Sequence, residues 1–313
     1  MVSTLKKNLD QISKRGTDKN GQKIKKTVMA QSLGISRAAI YSSIKRQYRQ
    51  RAQKALIINL VNQIRKRMPR LGTIKLYELL RPKFKELGIK CGRDKLYTIL
   101  KTSCMLVPRK KKFTRTTQSN HLFTKHSNKI KGIKLKRPEQ IWQSDITYIK
   151  TKEGNLYLSL ITDAYSKKIM GYELSDNLKT ESVKRALLKA INNRKYPKRK
   201  LIHHSDRGLQ YCNPLYTQEL EKRNIQISMT TKYDPYENSI AERVNGILKG
   251  EFSISDIRIT KKEAQNIIDK SIEIYNNERP HLSCEMMTPN QAHTKGKYVY
   301  KQWGKYSITD SWN

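Results

Sequence analysis

Residues 203–216, HHSDRGLQYCNPLY, follow the apolar pair Leu201-Ile202 and contain a single carboxylate, Asp206. The pair opens a predicted strand that ends at Asp206. The Asp-Arg-Gly that follows is turn chemistry. The next residues, LYTQELEKRN, predict a helix. Asp206 is open to two readings, an ordinary turn residue or a cation ligand. The rest of the chain has to decide between them.

Working outward, residues 138–295 read as α/β. QIWQSDITYIK alternates apolar and polar residues and predicts a strand around Asp145. NLYLSLITDAYS and KKIMGYELS predict two more, with a hairpin turn at Glu153-Gly154-Asn155. ESVKRALLKAINNR is an amphipathic helix, IQISMT a fifth strand, and TKYDPYEN a loop leading into the helix SIAERVNGILKGE. KKEAQNIIDKSIEIYNNE predicts a last helix, stopped at Pro280. Three antiparallel strands followed by alternating helices and strands predict a mixed five-stranded sheet with flanking helices.

The amino-terminal half has a different composition. Residues 1–138 carry 37 Lys and Arg against 5 acids, whereas residues 139–313 carry 28 against 21, within a formal net charge of +39. Such asymmetry is the electrostatic footprint of a nucleic-acid partner. No lipidation motif and no long amphipathic basic helix speaks for a membrane surface instead. Residues 1–26 read as a basic flexible arm and residues 27–50 as a helix-turn-helix-like segment. In that segment Gly34 makes the turn, Ser36 caps the second helix, and Arg37 stands near its start for groove contact. Residues 51–106 read as a small bundle of three short helices. Pro82 either kinks or divides one of them, and Gly88 serves as a C-cap. Residues 107–137 hold eleven basic residues and no acid, including Arg109, Lys110, Lys111 and Lys112. They read as a basic linker tracking phosphates. Residues 296–313 form a tail.

The four cysteines, Cys91, Cys104, Cys212 and Cys284, lack zinc-ligand spacing and read as reduced, buried thiols. MVSTLKKNLDQISKRG has no apolar core, so it is not a signal peptide, and no apolar run is long enough to span a bilayer. These features predict a cytoplasmic protein.

Three acids stand where side chains can converge: Asp145 in the first strand, Asp206 after the fourth, Glu242 one turn into the following helix. Each has a plain structural role open to it. Asp145 could cap a strand end, as Asp163 in ITDAYS does, and Ser239 with Glu242 fits a capping box. Phosphodiester chemistry, however, wants hard oxygen ligands with room left for water and substrate. Two ions about 4 Å apart can share one carboxylate.

The surrounding motifs carry a resemblance. WQSDITYI around Asp145, HSDRGLQY around Asp206 and ENSIAERVNGILKGE around Glu242, with 35 residues between the last two acids, resemble the catalytic core of the D,D(35)E transposases of the retroviral integrase superfamily. YNNERPHL and the Thr288-Pro289 pair are similar to the second-frame transposases of the bacterial insertion-sequence-3 group. Glu237 stands where that group usually has Asp, and Arg243-Val244 where Ser-Phe is common. The resemblance covers about residues 60–293. It implies a ribonuclease-H-like fold, two Mg²⁺ or Mn²⁺ held by Asp145, Asp206 and Glu242, and cleavage and joining of DNA strands. Lys249, two helical turns after Glu242 and about 10 Å along the axis, suits a phosphate contact; the resemblance supports it. A homo-oligomer on DNA and an upstream first-frame partner are also implied. Two other readings remain at this point: a non-catalytic DNA-binding regulator, and a nuclease that cuts without joining. His203 and His204 read as packing groups rather than general bases.

Overall fold

The protein is described by a computed structural model over residues 25–108, 123–231 and 237–296. The chain divides into two compact units, residues 1–62 and 63–313. Arg109 to Lys112 lie outside the described residues, as do most of the expected arm and tail.

In the first unit α1 spans Lys26–Leu33 and α2 begins at Arg37. Gly34 adopts the left-handed conformation, φ 62°, that lets its own N–H and that of Ile35 close the end of α1. Ser36 Oγ accepts the Ala39 N–H at 3.1 Å, the expected cap. A helix, a turn and a second helix are therefore present, and Arg37 is the exposed first residue of the second helix. That helix corrects the expected break at residue 50, because α2 runs unbroken from Arg37 to Arg67. No glycine, proline or acid interrupts this stretch, so the three short helices expected over 51–106 are two plus the end of α2.

In the second unit α3 (Thr73–Glu86) and α4 (Arg93–Thr102) pack together through Leu76, Leu80, Phe84, Leu96 and Leu100. Pro82 sits inside α3 without dividing it, and Gly88, φ 64°, follows its C-terminus. The described part of the basic linker runs beside the last strand. Ser127 O accepts the Met229 N–H, and Lys129 N–H donates to Ser228 Oγ at 2.8 Å.

The α/β part follows as β1 (Ile141–Thr151), β2 (Gly154–Asp163), β3 (Ile169–Ser175), α5 (Thr180–Asn192), β4 (Ile202–Ser205), α6 (Leu209–Cys212), α7 (Pro214–Glu221), β5 (Gln226–Met229), α8 (Ser239–Glu251), α9 (Lys261–Asn277) and α10 (Pro289–Lys295). The sheet order is β3-β2-β1-β4-β5; the first three strands are antiparallel, while β4 and β5 run parallel to β1. This is the expected mixed sheet, with β4 beside β1. On one face Trp142, Leu187, Tyr216 and Ile227 belong to the core under α5 and α7. On the other face α8 packs across β1 and β2. Asp163 is structural, as expected: its buried carboxylate accepts the N–H groups of Glu139 and Ser166. Cys91, Cys212 and Cys284 are buried free thiols; Cys104 is free but exposed, contrary to expectation.

Candidate active site

β1 and β4 are joined in parallel register, Trp142 with His203 and Gln143 with His204. Carried two positions further, that register sets Asp145 level with Asp206, which follows the last residue of β4. Asp206 Oδ1 accepts the Gly208 N–H at 3.0 Å, so it does serve the turn before α6. That bond holds the side chain in the turn.

Glu242 comes from α8. The N-cap of that helix falls on Asn238 rather than Ser239, and no side-chain cap bond forms there, so the expected capping-box alternative is not built. Gln143 of β1 takes over the task. Its Oε1 accepts the N–H groups of Ile240 and Ala241 at 3.1 and 3.2 Å, and its Nε2 donates to Glu237 O at 3.1 Å. Asn238 Nδ2 donates to Ser144 O at 2.9 Å. Asn245, one turn past Glu242, donates Nδ2 to Asp145 Oδ2 at 2.7 Å. Three successive residues of β1 thus hold α8 in place, and α8 carries Glu242 on its exposed side.

Electrostatics tie the three acids together. The Asp145 carboxyl is pushed up to about 7, first by burial and then by the negative charges of Asp206 and Glu242, against the pull of the Asn245 hydrogen bond. The acids are close enough to repel one another. Among the described residues, no three Asp, Glu, His or Cys side chains are grouped tightly enough to surround one ion.

The two histidines face inward. His203 Nε2 lies 2.8 Å from Ser144 Oγ and 2.9 Å from Tyr216 OH, and burial pushes its pKa down to about 3. His204 Nδ1 lies 2.9 Å from Ser228 Oγ, and burial pushes it down to about 4. Both are neutral at pH 7 and serve packing, as their strand context predicts. Lys249 is half-buried in the last turn of α8. Arg37 belongs to the other compact unit.

Two residues escaped the sequence reading. Asn245 is three positions after Glu242, on the same side of one helix, and that spacing could have flagged it. Gln143 is two positions before Asp145, on the same strand face. Nothing local announces that it caps a helix nearly a hundred residues away.

The mixed sheet, with α8 laid across its central strand, is the architecture of an integrase-type core. Residues 136–235 match the family described as Integrase core domain, and residues 223–289 match a second family of the same description. An uncharacterized 31 kDa protein of insertion element IS600 from Shigella sonnei is 35% identical over 267 residues, covering 83% of this chain and 96% of that one. Transposase InsF for insertion sequence IS3A from Escherichia coli K12 is 35% identical over 159 residues, 50% of this chain and 55% of its own length. Of the solved structures, the HTLV-2 integrase catalytic core in complex with magnesium aligns at 21% identity with a TM-score of 0.40, over 50% of this chain and 97% of that one. The chain belongs to the DDE-type transposases of the insertion-sequence-3 group, polynucleotidyl transferases with an integrase core. Among the described residues, no helix is long and apolar enough to cross a membrane.

Proposed function

We propose that this transposase binds the ends of its element and catalyses strand cleavage followed by strand transfer, using two Mg²⁺ or Mn²⁺. Asp145, Asp206 and Glu242 would hold these ions. The observation that carries the assignment is geometric: the parallel register of β1 and β4 sets Asp145 level with Asp206, and the Asn245 bond to Asp145 ties the helix that carries Glu242 to the same strand. The donor set, all hard carboxylate oxygens with amide neighbours, fits magnesium and manganese.

Bound there, the ions would lower the pKa of an attacking oxygen and neutralise the charge developing on the leaving one. The chain's own groups do the positioning. Asn245 fixes one oxygen of Asp145, and the Gly208 amide fixes one oxygen of Asp206. Gln143 holds the start of α8, and with it Glu242, against β1. Lys249 would steady a phosphate beside the scissile one. Water attacks the phosphodiester at the element's end and frees a 3′-hydroxyl. That hydroxyl then attacks a second phosphodiester in line, with no covalent protein intermediate. His203 and His204, neutral and turned inward, take no part in proton transfer.

The DNA contacts of Arg37, Arg109, Lys110, Lys111 and Lys112, assembly as a homo-oligomer on two element ends, partnership with an upstream first-frame protein, and a nucleoid-associated cytoplasmic location belong to the same proposal. The test uses labelled element ends with Mg²⁺. D145N, D206N and E242Q should each abolish strand release while still binding DNA. A D206N protein that still released the strand would remove the mechanism. Pre-cleaved ends then separate a joining enzyme, which yields a strand-transfer product, from a nuclease, which yields none.

A further inference from the structure

A row of polar side chains crosses the sheet beside the acids. The register pairs Gln143 of β1 with His204 of β4, and His204 with Ser228 of β5. Side chains alternate along a strand, so Gln143 shares a face with Asp145, and His204 with Asp206. The polar row therefore lies one step along the strands from the row of Asp145 and Asp206. Both of its ends are tied. At one end Gln143 caps α8, the helix of Glu242, through the amides of Ile240 and Ala241. At the other, Ser228 Oγ accepts the Lys129 N–H at 2.8 Å, and Ser127 O accepts the Met229 N–H. Ser127 to Lys129 belong to the basic linker, so a strap of linker closes the outer edge of β5.

His204 joins the two ends, and it does more than pack. Its Nδ1 lies 2.9 Å from the same Ser228 Oγ that takes the linker amide. The ring is wholly buried, and its Nε2 has no hydrogen-bond partner among the described residues. The charge of Glu237 acts on the ring. Glu237 is also the residue whose carbonyl accepts Gln143 Nε2, and its carboxylate accepts the hydroxyl of Thr231, just past β5. A buried ring nitrogen left unpaired is costly, and an apolar side chain would fill the place without that cost. Blunting an edge strand needs no histidine either. What the imidazole adds is the link from Ser228 inward.

We propose that Ser228 and His204 are positioning residues that make the seating of the acids depend on the linker strap at Ser127–Lys129. With the strap on β5, the polar row holds the end of β4 and the start of α8 in register with β1. With the strap lifted, the chain still binds DNA but holds Mg²⁺ poorly and cuts slowly. The coupling rests on the reading of the three acids given above and deepens it by naming what regulates them.

The test uses the full-length protein. K129A and K129P both lose the lysine charge, but only K129P loses the amide hydrogen that Ser228 accepts. K129P should cut labelled element ends about tenfold more slowly than K129A and need about tenfold more Mg²⁺ for half-maximal cleavage. Without DNA, Mg²⁺ should raise the melting temperature of K129P less than that of K129A. In EDTA the two should bind a labelled duplex equally. A plain loss of edge stability would lower melting in EDTA and leave the Mg²⁺ requirement alone. S228A should share the K129P defects, and K129P/S228A should be no worse than S228A, because members of one relay do not add. K129P matching K129A in Mg²⁺ requirement, or adding its full loss to that of S228A, overturns the coupling. Should S228A fail to fold, K129P against K129A still decides, since Lys129 is exposed. If D206N still cleaves, the acid assignment itself fails; an inactive D206N beside a K129P equal to K129A strikes the coupling alone.

Discussion

Asn245 and Asp145 are joined by a 2.7 Å hydrogen bond from the amide nitrogen to one carboxylate oxygen, so the helix carrying one acid orients another. Residues that orient ligands in this way typically matter 10–100-fold, by an order-of-magnitude rule for metal sites. N245A should cut strand cleavage by about that range and raise the Mg²⁺ concentration needed for half-maximal activity. N245D should do worse, since it adds a fourth negative charge. An N245A protein with an unchanged Mg²⁺ requirement would show that Asp145 is oriented by other means.

Asp145 also predicts a pH dependence of stability. Its carboxyl is near 7 in the folded chain, against about 3.9 in an unfolded one. The folded state binds this proton more tightly, so the group's contribution to stability falls as pH rises from about 4 to 7. D145N should therefore gain stability over wild type across that window when melting is followed in EDTA. Added Mg²⁺ should raise the wild-type melting temperature more at pH 8 than at pH 6, because only the ionised carboxylate is available to it. Equal increments at the two pH values would contradict the assigned shift.

Gln143 predicts a loss of stability that a surface residue would not produce. Its carbonyl accepts two amide hydrogens at the start of α8, where no side-chain cap exists. Q143L keeps the volume and removes the acceptor. It should cost about 0.5–2 kcal/mol, the usual worth of an N-cap, measured by denaturant unfolding. Activity should fall further than that loss implies, because Glu242 rides on the same helix. A Q143L protein as active as wild type would separate the cap from the site.

What could be read in advance, and what could not, follows from the range of the interactions. Asp145, Asp206 and Glu242 were legible because each sits in a local motif and their separation is a count along the chain. The capping box at Ser239 was a sound local expectation that a distant residue overrode: once Gln143 reaches the amides of Ile240 and Ala241, the helix starts from Asn238. The break expected at residue 50 failed for another reason. The composition changes there, but Lys45 to Lys54 contain no residue that stops a helix, so a shift in charge and hydrophobicity did not become a boundary. The Glu139 contacts lay beyond any local reading. Its buried carboxylate takes Arg194 and the amide of Lys195, more than fifty residues away.

The far end of α8 yields the last prediction. Glu251, its final residue, accepts two bonds from Arg279, at 2.7 and 2.8 Å, and one from Lys75 at 2.7 Å, while its carbonyl accepts the Arg70 N–H. Arg279 is 1% exposed, so this pair sits in a medium where removing one partner strands the other. R279M should destabilise the chain toward the lower end of about 3–5 kcal/mol, because Lys75 still faces the carboxylate. K75M, at a pair with both side chains 18% exposed, should cost less, about 1 kcal/mol. The acid limb gives an independent check. Burial alone would raise the Glu251 carboxyl, but Arg279 and Lys75 outweigh it and hold the group below its usual value. Its stabilisation is present above about 4.3 and lost as pH falls through the depressed pKa. R279M should therefore lose less stability than wild type on acidification from pH 5 to about 3. A parallel fall in both proteins would mean that the charge pairing contributes nothing, leaving Arg279 important only for the space it fills against Tyr275.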